Sequence, residues 1–301
     1  MPRALLTGVT GFVGSRLTRH LEQHDWDVHR VVRPSPGSPP AKKPFSPFVH
    51  IHDGSTSDMI RIIGESRPDV VFHLASLYVS QHSPDQVEPL VRSNILFGLQ
   101  LLEGMARNGV RRIVNAGTGW QHYEGREYSP VNLYAATKQA FEDLAAYYVD
   151  SGRVEAVTLL LFDTYGPDDP RPKIFRLLLD ASASGKSLAM SPGDQLIDLV
   201  HVDDVASAFR TAGERLLEDS VHGHERYAVS SGDPISLRNL VEKIVSAAGL
   251  NVEIIWGGRP HREREVMVPW GKGAPVPGWR AQIPLDEGLR TIFPFPGTRP
   301  E

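Results

Sequence analysis

Three glycines at a spacing of three residues follow the first apolar run of the chain, and they constrain its fold most strongly. Ala4–Leu6 is typical of a strand, and the glycines stand in Gly8–Gly14 directly after it. Leu17 and Leu21 continue an apolar repeat of four, which predicts a helix with one buried stripe. Such a turn is typical of dinucleotide binding, because the backbone can approach a pyrophosphate and the helix N-terminus offers free N–H groups. The expected cofactor contacts in this turn are Gly8, Thr10, Gly11, Phe12, Val13 and Gly14.

Apolar strands and amphipathic helices alternate through the first half of the chain. This order predicts an α/β fold, a Rossmann-type doubly wound parallel sheet with helices on both faces. A proline-rich linker begins after Gly166, so we expect a dinucleotide-binding domain at 1–165, with a return segment near 198–229. Residues 166–301 are expected to form a smaller C-terminal α/β substrate-binding domain. The predicted strands are Ala4–Leu6, Val28–Val32, Phe48–His52, Asp69–Leu74, Arg112–Ala116, Ala156–Phe162, Asp198–His201, Arg226–Val229 and Val252–Trp256.

Composition narrows the function classes. The 301 residues carry a formal net charge of -4, which gives no reason to expect a nucleic-acid partner. The chain has no cysteine, so neither disulfides nor thiolate chemistry is available. Its apolar runs are too short to span a bilayer, and its start lacks the pattern of a secretion signal. We therefore expect a cytoplasmic, soluble protein with no membrane partner and no bound metal.

The residues after the second and third strands indicate which dinucleotide binds. Arg33 follows the second strand, where an acidic residue would bind the ribose hydroxyls of NAD and an arginine suits the 2′-phosphate of NADP. Arg33, together with Lys42 or Lys43, therefore favours NADP(H) over NAD(H), and a solvated surface arginine is the alternative. Further expected cofactor contacts are Asp53, Gly54, Leu74, Ala75, Ser76 and Phe162.

Tyr134 and Lys138 stand four residues apart in a segment whose apolar spacing predicts a helix, so they share one helix face. A phenol has an unperturbed pKa of about 10, and a nearby ammonium lowers this pKa because it stabilises the phenolate. Such a phenol can act as a general acid or base near neutral pH. The alternative is an amphipathic helix with a tyrosine at its start and a solvated lysine.

Three signals now stand in order: the glycine turn, Thr118 after the fifth strand, and the Tyr134 and Lys138 pair on the next helix. In this combination the chain resembles the extended short-chain dehydrogenases/reductases, which comprise nucleotide-sugar epimerases, dehydratases and reductases. Tyr165–Pro167 and Asp198–Val205 resemble two further segments of that family. The segments Asn115–Tyr123 and Pro130–Glu142 are similar to those of the CDP-abequose and CDP-paratose synthase type.

The resemblance implies an NADPH-dependent reduction of the 4-keto group of a nucleoside-diphosphate 4-keto-deoxyhexose, as in deoxysugar biosynthesis. It assigns the catalytic hydroxyl to Thr118, which would orient the carbonyl, and the general acid to Tyr134. Lys138 would hold the nicotinamide ribose and lower the pKa of Tyr134, so Tyr134 and Lys138 also count as cofactor contacts. The residues expected to contact the sugar nucleotide are Trp120, Gln121, His122, Asp163, Lys173, Arg176 and Arg262.

Several positions depart from the family pattern. A 4,6-dehydratase carries an Asp-Glu pair directly after the catalytic threonine, where this chain has Gly119 and Trp120, so dehydration is not expected. Leu160, Asp163 and Ile197 replace family residues near the sugar, so the resemblance does not fix how the sugar is oriented.

Two other functions remain open at this point. A 4-epimerase of the same family would hold NAD tightly and consume none, and Arg33 argues against it. A nucleotide-sensing regulator without catalysis would usually lack the tyrosine and the lysine. The resemblance also implies a homodimer, built as a four-helix bundle from the predicted helices Glu88–Arg107 and Leu133–Ser151 of each subunit.

Overall fold

The structure is a computed structural model that describes residues 1–34 and 46–293, so Lys42 and Lys43 lie outside the described residues. In chain order, the strands of the described part are β1 (Arg3–Thr7), β2 (Asp27–Val32), β3 (Val49–Ile51), β4 (Val70–His73), β5 (Arg112–Thr118), β6 (Glu155–Leu161), β7 (Asp163–Tyr165), β8 (Leu188–Met190), β9 (Leu196–Ile197), β10 (Leu199–His201), β11 (His224–Val229), β12 (Ile235–Ser236) and β13 (Ile254–Trp256).

The α-helices of the same residues are α1 (Phe12–Gln23), α2 (Thr56–Ser66), α3 (Val87–Val91), α4 (Phe97–Asn108), α5 (Leu133–Asp150), α6 (Ile174–Ser184), α7 (Val202–Leu217), α8 (Leu237–Ala248) and α9 (Leu285–Ile292). A π-helical turn, Arg92–Leu96, joins α3 to α4, so the segment predicted as one helix is continuous but widened in its middle. No helix in the part of the chain that the structure describes is both long and apolar enough to cross a bilayer.

Seven strands form the central sheet in the order β11-β6-β5-β4-β1-β2-β3. Every adjacent pair is parallel, which confirms the predicted Rossmann-type doubly wound sheet. The strand order reverses at β1, where Thr7 pairs with Val31 on one side and with His73 on the other. Ligands of doubly wound sheets bind outside the carboxyl ends of the strands at such a reversal.

Helices cover both faces of this sheet because each turns an apolar stripe toward it. On one face α1 and α7 bury Leu17 and Phe209 against the strands. On the other face α2, α4 and α5 bury Ile62, Leu101 and Phe141. The two layers hold the carboxyl ends of β1, β4 and β5 in fixed positions, and the candidate site residues follow those ends.

A third apolar cluster lies among the C-terminal elements. It buries Leu178 of α6, Leu240 and Ile244 of α8, and Leu289 of α9. β11 joins the central sheet beside β6, although it follows α6 in the chain. The domain boundary after residue 165 stays a prediction from the sequence.

Four short strands, β7, β8, β9 and β12, are not predicted by the sequence. Each has two or three residues, too few to show an alternating pattern. They exist through pairing with distant partners: β7 with β10, β8 with β13, and β9 with β12.

Candidate active site

The glycine turn leads from β1 into α1 and leaves a cradle at the helix N-terminus. Gly8 has a φ of +76°, a left-handed value that glycine adopts without strain, and a Cβ at Gly14 would lie 2.1 Å from the Gly8 carbonyl oxygen. The first turn of α1 carries no acidic residue, so no carboxylate there competes with an anion for its N–H groups. These features fit a pyrophosphate. Thr10 and Gly11 are exposed, and Phe12 and Val13 are partly buried.

The loop after β4 packs on this turn. A Cβ on Gly8 would lie 2.6 Å from the Ala75 nitrogen and 2.7 Å from the Leu74 carbonyl carbon, so the two backbones touch. One residue further on, the Ser76 side chain lies close enough to the phenol of Tyr134 to lower its pKa. The loop therefore connects the glycine turn with Tyr134.

Asn94, a buried residue of the π-helical turn, anchors the same loop. Its Oδ1 accepts hydrogen bonds from Ser76 Oγ at 3.2 Å and from the Leu77 nitrogen at 2.7 Å. Its Nδ2 donates to Thr137 Oγ1 at 2.9 Å. Since Thr137 lies on α5, Asn94 fixes the loop relative to that helix.

Arg33 and Asp53 lie at the ends of two paired strands. Arg33 directly follows β2 and is exposed, and Asp53 follows β3 and is exposed as well. Asp53 Oδ1 accepts a hydrogen bond from the Ser55 nitrogen at 2.7 Å. The carbonyl oxygen of Gly54 accepts one from Gln100 Nε2 at 2.8 Å. These residues stand on the β2–β3 side of the strand reversal.

Among the described residues, His52, Asp53 and Asp58 bring potential metal-ligand atoms within 4.8 Å of one another. Each bonds to the protein instead: His52 Nε2 to the Ser55 carbonyl oxygen at 3.0 Å, and Asp58 to Arg61 Nε at 3.0 Å. The cluster is explained by the turn that starts α2, and we assign no metal to it.

Thr118 ends β5 and is buried. Its Oγ1 accepts a hydrogen bond from the Trp120 nitrogen at 3.3 Å, and its own N–H donates to Gln121 Oε1 at 3.0 Å. The Trp120 carbonyl oxygen accepts from the Val131 nitrogen at 2.9 Å. The loop that follows Thr118 is thus bonded to the residues just before Tyr134.

Helix α5 carries Tyr134 and Lys138 one turn apart. Asn132 caps it, because its Oδ1 accepts a hydrogen bond from the Ala135 nitrogen at 2.9 Å. Lys138 is only 3% exposed, and burial lowers its pKa to about 8, while the charge of Glu142 raises it. At pH 7 the Lys138 ammonium is therefore mostly retained.

The pKa of Tyr134 departs from the sequence-based expectation. Burial raises it to about 12, and Ser76 and the charge of Arg171 lower it only in part. The predicted lowering of this pKa is wrong in direction, because the loss of solvent outweighs these two effects. A phenol with this pKa keeps its proton at neutral pH, the form that a general acid requires.

A cavity of about 1370 Å³ lies between the carboxyl ends of the strands and the C-terminal elements. Tyr78 and Trp120 line it, and their ring centroids are 5.8 Å apart. Tyr78 also meets Tyr134 edge to face, with ring centroids 5.1 Å apart. Phe162 lines the cavity as well. The Tyr134 ring is therefore next to the cavity wall.

Charged side chains also line the cavity. Asp163 and Lys173 form an ion pair at 2.9 Å, and Arg262 is a further cation of the lining. Arg171 reaches from the cavity to the glycine turn, since its guanidinium lies 4.6 Å from the centroid of the Phe12 ring. Arg171 is also ion-paired with Asp169 at 2.7 Å, so only part of its charge is left for an anionic ligand.

Three expected sugar contacts lie elsewhere. Gln121 is buried and its amide is bonded to Thr118, Gln139 and Glu142, so it is part of the framework behind the site. His122 does not line the cavity; it stacks on Trp270, with ring centroids 3.9 Å apart. Arg176 is exposed and paired with Asp180 within its own helix. Trp120, Asp163, Lys173 and Arg262 remain as cavity residues.

Sequence reasoning missed Tyr78 and Glu142. Tyr78 stands two residues beyond Ser76 in a loop already predicted to cover the cofactor, which was the available signal. Glu142 follows Lys138 by four residues and is fully buried. The spacing of four residues places it on the same helix face as Lys138, but a glutamate in an amphipathic helix is usually solvated.

The sequence profile of the NAD dependent epimerase/dehydratase family matches residues 4–226. The chain belongs to this family. Its members are NAD(P)-dependent enzymes of the extended short-chain dehydrogenase/reductase class, so the protein is an enzyme of the oxidoreductase type. The interpretation as a regulator without catalysis is thereby dropped.

Relatives with established names in this family span nearly the whole chain. A CDP-abequose synthase of Yersinia pseudotuberculosis is 27% identical, covering 89% of this chain and 91% of that protein. A UDP-glucose 4-epimerase of Mycolicibacterium smegmatis is also 27% identical, covering 97% and 98%. The solved structure of MoeE5 in complex with UDP-glucose and NAD superimposes with a TM-score of 0.78 at 24% identity, covering 96% of both chains. That structural similarity supports the fold.

Proposed function

We propose that this enzyme reduces the 4-keto group of a nucleoside-diphosphate 4-keto-deoxyhexose with NADPH. The observation that carries the proposal is the position of Tyr134, between Ser76 of the cofactor loop and Tyr78 of the cavity wall. A proton donor is needed where a cofactor site meets a substrate cavity, because the carbonyl oxygen gains charge as the carbon is reduced. The similarity to a CDP-abequose synthase supports a nucleotide sugar as the substrate.

Each residue has a role in this proposal. A reduced nicotinamide, when bound, supplies the hydride. Tyr134 gives its phenolic proton to the carbonyl oxygen, and Thr118 donates a hydrogen bond to the same oxygen and orients it. Lys138 holds the hydroxyls of the nicotinamide ribose through its ammonium. Acid assistance of this kind contributes about 10²–10⁴-fold in rate, and positioning of the reactants must supply the rest.

The contact between Gly119 and Phe162 argues against dehydration. A Cβ at Gly119 would lie 2.9 Å from the Phe162 ring, so the position directly after Thr118 has no room for a carboxylate side chain. A carboxylate there drives the elimination in the dehydratases that the chain resembles. The lack of room for a side chain at Gly119 therefore supports a reductase or an epimerase over a dehydratase.

We propose NADP(H) as the preferred cofactor. Arg33 is exposed directly after β2. An arginine in this place suits a 2′-phosphate. The glycine turn provides the pyrophosphate cradle that either dinucleotide requires.

We propose a homodimer through α3, α4 and α5. Val87 and Val91 of α3 and Leu96 of the π-helical turn are between 40% and 44% exposed. A second copy would remove these apolar side chains from water. A monomeric mass in light scattering would contradict the dimer.

A 4-epimerase is the second candidate, because the Mycolicibacterium smegmatis epimerase is as similar as the CDP-abequose synthase. An epimerase would oxidise and re-reduce its own substrate with no net use of cofactor. NAD that co-purifies in stoichiometric amount, with interconversion of two UDP-hexoses, would favour it over the reductase.

The test is a reaction of purified protein with NADPH and a panel of CDP- and dTDP-linked 4-keto-6-deoxyhexoses. We expect loss of absorbance at the reduced-nicotinamide wavelength for at least one of them. Tyr134→Phe should lower kcat by about 10²–10⁴-fold. Tyr147→Phe is the matched control, since Tyr147 lies on the same helix but is 60% exposed. A Tyr134→Phe enzyme with most of its rate would refute the assignment of the acid.

A further inference from the structure

Glu142 is a fully buried carboxylate on α5, one turn beyond Lys138. Its Oε2 accepts a hydrogen bond from Arg226 Nε at 2.6 Å, and its Oε1 accepts one from Gln121 Nε2 at 2.8 Å. A buried carboxylate without such partners would be costly, so these bonds hold the charge in place.

Gln121 carries this connection to Thr118. Its Oε1 accepts the hydrogen bond from the Thr118 nitrogen at 3.0 Å, while its Nε2 donates to both Glu142 and Gln139. An amide held at both ends has one orientation, because reversing it would place donor against donor and acceptor against acceptor. The backbone of Thr118 is therefore fixed from behind by Glu142.

Lys138 is linked to the same carboxylate by charge. It is the buried cation nearest in sequence, and Glu142 opposes the effect of burial on its pKa. The other polar groups that face Glu142 are Gln139 on α5, Gln121 on the Thr118 loop, and Arg226 and His224 on β11. Arg226 is 47% exposed, so solvent screens its charge, whereas Lys138 is only 3% exposed.

We propose that Glu142 is a positioning residue, which sets the orientation of Thr118 through Gln121 and places a negative charge one helical turn beyond Lys138. This inference rests on the proposed function for the roles of Thr118 and Lys138. In this proposal Glu142 does not contact the substrate or the cofactor. It acts through Thr118 and Lys138, which do. One carboxylate behind the site thereby couples the hydroxyl that orients the carbonyl to the ammonium that holds the ribose.

Glu142→Gln tests the proposal, because Gln121 and Arg226 donate to different oxygens of Glu142, and an amide would turn its NH₂ group toward one of these donors. We expect kcat to fall by roughly 10- to 100-fold with a smaller change in KM for the ketone. Glu214→Gln is the matched control, since Glu214 is also ion-paired, with Arg210 at 2.6 Å, on α7 at the other face of the sheet.

The exchange variant Gln121→Glu with Glu142→Gln gives a second test. It returns one negative charge to the buried cluster, because the carboxylate and the amide trade places. The introduced amide could then donate to the introduced carboxylate and accept from Arg226. The Gln139 amide must turn so that it donates to the carboxylate, since its Oε1 accepts from Gln121 Nε2 in the wild type. The charge is carried by residue 121 instead of residue 142, so this variant tests the link to Thr118 and not the charge beside Lys138. We expect a folded protein with kcat within about tenfold of the wild type. This test holds even if Glu142→Gln alone does not fold, and a folded exchange variant that is more than tenfold slower than the wild type would overturn the link through Gln121.

A measurement without substrate separates this inference from the proposed function. The Lys138 ammonium is titrated in the cofactor-free protein by ¹³C NMR of the lysine Cε, with Lys138→Met for assignment. We expect a pKa of about 8 in the wild type and a lower value in Glu142→Gln. Equal pKa values and equal kcat in the two proteins would refute the role of Glu142. A normal titration result with no reduction of any ketone would refute only the proposed function.

Discussion

The Cα of Gly8 lies so close to Ala75 that a Cβ added to it would stand 2.6 Å from the Ala75 nitrogen. The neighbour is backbone, which cannot rotate away as a side chain would. The glycine turn and the loop that leads to Ser76 therefore share one fixed contact, and the cradle at the start of α1 depends on it.

Gly8→Ala should weaken NADPH binding by at least about tenfold, because either the turn or the loop must move. A fluorescence titration of the reduced nicotinamide measures this. Gly109→Ala is the matched control: Gly109 also has a positive φ, +69°, but its Cβ would meet nothing within 4 Å. Equal binding losses in both variants would mean that backbone strain, not the contact with Ala75, is responsible.

Arg33→Asp should reverse the cofactor preference. The carboxylate would repel a 2′-phosphate and could accept hydrogen bonds from the ribose hydroxyls of NAD. We expect the ratio of kcat/KM for NADPH to that for NADH to fall by roughly 10- to 100-fold, with the KM for the sugar unchanged. Arg19→Asp, at an exposed position of α1, serves as the control for a change of charge. An unchanged ratio would show that Arg33 is a solvated surface residue.

Asn132→Ala should lower both stability and rate. Asn132 caps α5 through the Ala135 nitrogen, and its Nδ2 donates to the Ser80 carbonyl oxygen at 3.0 Å. Loss of the cap should cost about 1 kcal/mol in the free energy of unfolding, measured by urea denaturation. Asn132→Asp keeps the cap but not the donor to Ser80, so it should recover most of the stability. If kcat fell only in proportion to the unfolded fraction, the cap would have no effect on Tyr134.

Acid should destabilise the protein through its buried histidines. Burial lowers the pKa of His73 to about 3 and that of His20 to about 4, and it also lowers the pKa of His224. The unfolded chain, with histidine pKa values near 6.5, then binds more protons below that pH than the folded chain does. The free energy of unfolding should be level between about pH 6.5 and 7.5 and should fall as the pH drops toward 4.

Urea denaturation at a series of pH values checks this dependence. His224→Gln removes one partly buried histidine, whose Nε2 is hydrogen-bonded to Thr158 Oγ1 at 2.9 Å, so the decline should be shallower. His222→Gln, at an exposed position two residues away, is the control. A free energy of unfolding that does not change between pH 7 and 4 would contradict the buried, neutral state of these side chains.

The local spacing of apolar residues was sufficient to predict the helices and the longer strands. The repeat of four after the glycines predicts α1, and the apolar runs Asp69–Leu74 and Ala156–Phe162 predict β4 and β6. It failed for β7, β8, β9 and β12, because a strand of two or three residues depends on a partner far away in the chain. The same limit applies to Gln121, which reads as an active-site residue until its bonds to buried groups are seen.

The sequence by itself determined the order of strands and helices, the glycine turn and the spacing of Tyr134 and Lys138, because these depend on residues a few positions apart. Only the tertiary structure decided that Tyr134 stands beside Ser76 and Tyr78, that its pKa is raised, and that Glu142 is buried behind Thr118. Burial and long-range hydrogen bonds set those properties, and they arise from the packing of segments that are distant along the chain.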